Sequence, residues 1–279
     1  MLKRIITSIF ALCILIPVLC LSHTWIFPIA LSIVSAMCLF EGFRCLGVHK
    51  KLHIIMPFYA VGVILPIVQR ISFFDGKIVP FGATLAIICL VYSFSLVVWS
   101  HGTFTYIDMC TLALTALYII FGINMILYIR DFDASGMFIY LLIFIGAWTT
   151  DVFAYFTGVF FGKHKLIEDV SPKKTIEGSI GGIVFCSLAF VLTGIIIDQF
   201  FEGNSNIVFL AISGACISVI AQVGDLIMSV IKRHYGIKDY GRIFPGHGGM
   251  LDRFDSILAV SLGVAAMCMV SSVIGISFI

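Results

Sequence analysis

Apolar runs of membrane-crossing length alternate along the chain with short polar punctuation. A transmembrane helix needs about 20 mostly apolar residues. Nine such runs are present, near 5–22, 25–40, 54–69, 78–99, 106–129, 137–160, 179–197, 206–230 and 254–277. The first, behind Lys3 and Arg4, resembles a signal peptide in outline. It lacks an A-x-A cleavage site, however, and Leu19 spoils a lipobox at Cys20, so it reads as a helix. The expected fold is therefore all-α, a polytopic integral membrane protein of about nine spans. Composition agrees: of 279 residues, 61% are hydrophobic and 11% charged, against about 25% charged in soluble domains. The mean hydropathy is +1.14. These values exclude a cytosolic enzyme and a nucleic-acid binder, because little polar surface is left to face water.

With nine spans the connecting loops alternate sides, so the basic residues orient the chain. Lys3, Arg4, Arg44, Lys50, Lys51, Lys163, Lys165, Lys173, Lys174, Lys232, Arg233, Lys238, Arg242 and Arg253 fall on the amino-terminal side, and Arg70, Lys77 and Arg130 on the other. That division, 14 of the 17 Lys and Arg against 3, predicts a cytoplasmic amino terminus and an external carboxyl terminus. No soluble domain remains. Residues 1–100 read as amino-terminal spans. Residues 101–279 read as a transmembrane catalytic region whose two longest polar loops, 162–178 and 231–253, lie on the cytoplasmic side. No internal repeat of the kind that marks many transporters is present. The nine cysteines are scattered, without a C-x-x-C pair or Cys/His cluster, and read as small apolar side chains.

Ionisable residues within spans are costly and point to function. Asp225 lies deep in the eighth run, where Gln222, Asp225, Ser229 and Lys232 fall at spacings of three, four and three. On a helix this forms one polar stripe reaching the membrane edge. A structural reading pairs Asp225 with Lys232. Asp151, beside Thr149 and Thr150, is the second charge within a span, read equally as functional or as a buried carboxylate satisfied by those hydroxyls. Asp108 reads as interfacial.

The segment from Lys232 to Ser256 concentrates cations, glycines and carboxylates. Asp252 and Asp255, three apart at the start of the ninth helix, present both carboxylates on one face, where they can hold Mg²⁺ with substrate phosphates completing the octahedron. Gly246, Gly248 and Gly249 allow a tight turn and close backbone approach to a phosphate. A helix amino terminus favours anions. Contact with anionic lipid headgroups would explain the basic residues but not three carboxylates at 225, 252 and 255. In the other loop, Pro172 is expected to fix a turn from which Lys173 and Lys174 project before a helix begins. Thr175 and Gly178 flank a polar helix start suited to phosphate.

These residues resemble the phosphatidate cytidylyltransferases, or CDP-diacylglycerol synthases. Ser229, Lys232, Arg233, Lys238 and Asp239, then Pro245, His247, Gly248, Gly249, Asp252, Arg253 and Asp255, follow the family signature. Ser171 to Thr175 with Glu177 and Gly178, and Asp151, Ala154, Tyr155 and Phe161 to Lys163, also look like family motifs, so the likeness covers roughly residues 145–260. Met228 stands where many bacterial members have Glu, Val152 and Phe153 where they have Thr-Gly, and Val159 where they have Arg.

The resemblance implies that CTP and phosphatidate give CDP-diacylglycerol and pyrophosphate with Mg²⁺, in a bacterial cytoplasmic membrane with the site on the cytoplasmic face. It implies that Asp225, Asp252 and Asp255 hold metal and, with Lys232, carry the chemistry. Ser171, Lys173, Lys174, Thr175, Ser229, Arg233, Lys238, His247, Gly248, Gly249, Arg253 and Asp151 would bind the substrates, His247 either donating to a phosphate or bracing the turn. A homodimer is left open. A transporter would also use Asp151 and Asp225, but has little reason to gather glycines, cations and paired carboxylates. A CTP-using lipid kinase would share these needs and differ in releasing CDP. A CDP-alcohol phosphatidyltransferase is disfavoured because its Asp-Gly-x-x-Ala-Arg run is absent.

Overall fold

The structure, a computed structural model, describes residues 2–71, 78–100, 102, 104–132, 135–201, 203–244, 246, 248–276 and 278–279, without the side chains of 2–8, 10 and 78–80. The described residues form α1 (Leu2–Cys20), α2 (Ile26–Cys45), α3 (Leu52–Gln69), α4 (Ile78–Trp99), α5 (Tyr106–Arg130), α6 (Gly136–Phe161), β1 (Lys165–Ile167), β2 (Ser171–Thr175), α7 (Ile176–Phe201), α8 (Ile207–His234) and α9 (Leu251–Ile274). The eight helices α2 to α9, with α4 counted from Phe81, are long and apolar enough to cross a membrane. Large apolar side chains crowd their outer faces, Val98 being 75%, Phe160 73% and Val208 69% exposed. In water such faces would aggregate; in lipid they are the solvated surface. The chain is an all-α polytopic integral membrane protein.

Two compact units divide it: residues 1–127 with 237–253, and 128–236 with 254–279. In the first unit, α2 and α3 pack closely because Gly62 faces Leu39 and Ser35, and Ser32 Oγ donates to the Val63 carbonyl at 2.8 Å. Phe43 meets Phe58 and Tyr59 edge-on. Ile119, Ile120 and Ile123 of α5 are fully buried. Arg70, at the end of α3, donates to the carbonyls of Thr24 and Ser22 at 2.6 and 2.7 Å, fixing the α1–α2 turn.

The second unit shows the small-residue packing expected where lipid supplies no hydrophobic drive between helices. A Cβ at Gly214 of α8 would lie 2.8 Å from the Ser187 Cα of α7, and one at Gly182 of α7 would lie 3.2 Å from the Thr150 carbonyl oxygen of α6. Both glycines therefore set how closely neighbouring helices approach.

One local expectation is corrected. Pro172 does not make the turn in the loop after α6: Ser171–Thr175 is a strand paired antiparallel with Lys165–Ile167, and the turn falls at residues 168–170. Proline fits here because a two-stranded ribbon has open edges where its missing N–H costs no ladder bond.

Candidate active site

In the second unit, the hairpin between α6 and α7 is tied down by the first turn of α7. Glu177 accepts from the backbone N–H groups of Lys163 (3.1 Å) and His164 (3.2 Å), and its Oε1 lies 2.7 Å from His164 Nδ1. Thr175, expected at a phosphate, is the N-cap of α7: its Oγ1 accepts from the Gly178 N–H at 3.1 Å, satisfying one of the donors a helix start leaves unpaired. Lys165 Nζ donates to the Pro172 carbonyl at 2.6 Å, closing the ribbon.

This bracing delivers Lys174 to α8. Its ammonium forms an ion pair with Asp225 Oδ2 and also donates to the Gln222 carbonyl at 3.4 Å. The two polar loci that the sequence placed 51 positions apart thus share one site. Gln222, the inner end of the α8 stripe, is buried and donates to the Ser179 carbonyl at 3.3 Å.

The first turns of α9 bring a second carboxylate. Asp255 is half-buried, its Oδ1 accepts from the Ser256 N–H at 2.8 Å, and the charged groups acting on it are Asp225, Lys232 and Asp151. Lys232 is buried, 8% exposed. Asp151 on α6 accepts from Ser256 Oγ at 3.2 Å, a hydroxyl that comes from α9, whereas the buried Thr150 Oγ1 beside it makes no hydrogen bond to it. Three carboxylates and two lysines are therefore collected from α6, β2, α8 and α9. A cluster of this charge among apolar helices is stable only with its charges mutually compensated.

In the first unit, Asp252 organises the glycine loop. Its Oδ2 accepts from the backbone N–H groups of Tyr240 (2.8 Å), Gly241 (3.4 Å) and Gly249 (2.9 Å). Gly248 has a φ of 85°, a left-handed conformation open to glycine at no steric cost, and its carbonyl accepts from Phe244 N–H at 3.0 Å. Gly249 is buried, and Arg253 is exposed on the first turn of α9.

Of the other expected residues, Ser229 is half-buried on α8, Ser171 is half-buried opposite Ile167, and Lys173, Arg233 and Lys238 are exposed. His247 lies outside the described residues. Sequence reasoning gave Glu177 only as part of a motif; an acidic residue in the first turn of a helix is the signal that would have marked it. It missed Glu41 altogether. This carboxylate near the end of α2 is 1% exposed and accepts from the Met250 and Leu251 N–H groups.

Comparison with known proteins agrees with this arrangement of motifs. The sequence matches the model of the Cytidylyltransferase family over residues 2–271. It is 33% identical over 257 residues to a phosphatidate cytidylyltransferase of Staphylococcus haemolyticus (strain JCSC1435), covering 92% of this chain and 95% of that protein. To the phosphatidate cytidylyltransferase of Staphylococcus aureus (strain COL) it is 34% identical with the same coverage. To one from Staphylococcus epidermidis (strain ATCC 12228 / FDA PCI 1200) it is 37% identical over 184 residues, 66% of this chain and 67% of that protein. Since the match runs through the segments that carry Asp151, Lys174, Asp225 and Asp255 as well as through the amino-terminal helices, the chain belongs to the cytidylyltransferase family.

Proposed function

We infer that the chain transfers the cytidylyl group of CTP to phosphatidate, giving CDP-diacylglycerol and pyrophosphate. The observation that carries this reading is the Lys174–Asp225 ion pair in one cluster with Asp255, Lys232 and Asp151. Its chemistry is that of charge management. A phosphatidate oxygen, already anionic at neutral pH, attacks the α-phosphorus of CTP; the bond from that phosphorus to the bridging oxygen breaks, and pyrophosphate leaves with the electron pair. No strong general base is needed. Two polyanions must be brought together, and fixed cations supply much of the stabilisation.

Lys174, held by Asp225, and buried Lys232 are the cations set to receive phosphate oxygens. Asp225 keeps the Lys174 ammonium extended toward α8 in advance, so little reorganisation is left for the reaction. Lys173 and Arg233, both exposed, supply the outer positive field that draws CTP in.

Mg²⁺ fits this donor set. It keeps several waters and takes one or two carboxylates with substrate phosphates. Among the described residues no three His, Cys, Asp or Glu side chains form a metal cage by themselves, and such a substrate-completed site requires none. Asp225 and Asp255 would hold it, and when bound it would neutralise charge on the triphosphate. For Asp252, whose Oδ2 already takes three backbone N–H groups, the role that follows is to hold the glycine loop.

The biosynthetic site faces the cytoplasm in this reading, supported by the basic residues on the amino-terminal side of the spans. In a variant with its nine native cysteines replaced, a cysteine at exposed Asp169 or Asp239 should react with a membrane-impermeant thiol reagent only from the cytoplasm, and one at exposed Asn204 only from outside. Labelling of position 204 from the cytoplasm would refute the topology.

The reaction itself is tested by incubating purified protein with CTP and phosphatidate in mixed micelles. Pyrophosphate should appear only when both substrates and Mg²⁺ are present, in step with CDP-diacylglycerol. Release of CDP instead would identify a CTP-dependent lipid kinase.

A further inference from the structure

Glu41 is an anomaly in a mostly apolar helix. Its carboxylate is 1% exposed, a placement that costs several kcal/mol unless it is fully compensated. The compensation is specific. Oε1 accepts from the Met250 N–H at 3.1 Å, and Oε2 accepts from the Leu251 N–H at 2.8 Å. These are backbone donors at the start of α9, of the kind that a helix leaves unpaired and that ordinarily a local capping residue satisfies. Here the cap comes from a helix 209 to 210 positions earlier in the chain.

Two further features join α2 to the same loop. Arg44, one turn beyond Glu41, donates through Nη2 to the Tyr240 carbonyl. On the loop side, space is reserved for the carboxylate: a Cβ at Gly241 would lie 1.9 Å from Glu41 Oε1, and a Cβ at Gly249 would lie 2.3 Å from both of its oxygens. The loop is thus held from α2 at its beginning by Arg44 and at its end by Glu41, while Asp252 gathers Tyr240, Gly241 and Gly249 from within. Among residues 1–100, expected to carry only spans, two charged side chains shape the segment richest in candidate phosphate-binding residues.

We propose that Glu41 is a positioning residue for the transfer reaction, fixing the backbone at Gly241 and Gly249 to Leu251 and the first turn of α9 by capping that helix from α2. The proposal rests on the transfer reading above. Both oxygens of the buried Glu41 carboxylate are taken by backbone N–H groups, so its loss misplaces binding groups without removing any. Small misplacements of this kind fall mainly on the transition state, and about 1 Å can cost roughly 10²-fold in rate.

The test uses the full-length protein in detergent with phosphatidate, comparing Glu41→Gln and Glu41→Asp with the parent. Glu41→Gln keeps the shape but turns an amide NH₂ toward backbone donors. It should lower kcat per folded enzyme at least about tenfold, with KM for CTP and phosphatidate changed less than about threefold, and Glu41→Asp should recover part of the loss. Amide hydrogen exchange in the peptide covering 240–252 should rise at least about tenfold in Glu41→Gln, a readout that does not depend on what reaction the protein performs. Gly249→Ala, which drives a methyl group into the same carboxylate, should show the same exchange and kcat signature and serves if Glu41→Gln does not fold. Unchanged exchange in that peptide, or activity loss that only tracks loss of folded protein with kcat per folded molecule preserved, would overturn the proposal. A parent protein that forms no CDP-diacylglycerol while Glu41→Gln still loosens the peptide would instead count against the transfer reading and leave the loop-fixing role supported.

Discussion

Asp225→Asn should reduce kcat/KM by roughly 10²–10³-fold while the protein still folds and inserts, the range seen when one preorganised electrostatic group is lost from an active site. The substitution keeps the side chain's size but removes the negative charge that both holds Lys174 and, in the proposed mechanism, binds Mg²⁺. Lys174 would then keep only its bond to the Gln222 carbonyl among the two contacts that aim it at α8. Folding depends little on the pair, because both side chains remain about one quarter exposed and such ion pairs contribute on the order of 1 kcal/mol. The check is steady-state kinetics across a Mg²⁺ titration, with a thermal melt in the same detergent. Near-parental activity at limiting Mg²⁺ would remove Asp225 from the mechanism.

Lys174→Ala is expected to cost about 10²-fold or more in kcat/KM. The lysine is the one place where the hairpin's positive charge is carried onto α8, and the supports that bring it there, the Glu177 contacts and the Thr175 cap, lie in backbone that the substitution leaves intact. Its removal therefore deletes a charge and not a fold. It also leaves Asp225 without this counter-ion, so the loss should deepen at low Mg²⁺, where Lys232 is the cation left in the cluster. Kinetics indistinguishable from the parent would assign the hairpin to membrane anchoring.

The spans were legible because lipid imposes a single-sequence rule: about 20 apolar residues, with backbone bonds satisfied inside each helix. Asp225 and Asp151 were legible for the same reason, as charges where the rule forbids them. The hairpin was not. Ser171–Thr175 contains proline and two lysines, with little β propensity, and becomes a strand because Glu177 and the Ile176 N–H, which donates to the His164 carbonyl at 3.0 Å, draw its two arms together. Nor was the Lys174–Asp225 contact, since spacing along a chain carries no information about which loop returns to which helix. Glu41 escaped because the expected span ended at residue 40, whereas α2 continues to Cys45 and buries the carboxylate in its last turns. Asp252 is read as a metal ligand from its i, i+3 relation to Asp255; its three backbone N–H partners come from a loop whose path the sequence pattern does not reveal.

The central claim is that the α-phosphorus of CTP is the atom transferred, and its fate can be followed directly. Purified protein is given phosphatidate with Mg²⁺ and either α-labelled or γ-labelled CTP, and the lipid and aqueous phases are separated. Label from the α-position should enter the lipid phase as CDP-diacylglycerol in proportion to protein and time, while γ-label should remain aqueous as pyrophosphate. Transfer of γ-label to the lipid, with α-label left in water as CDP, would contradict the account.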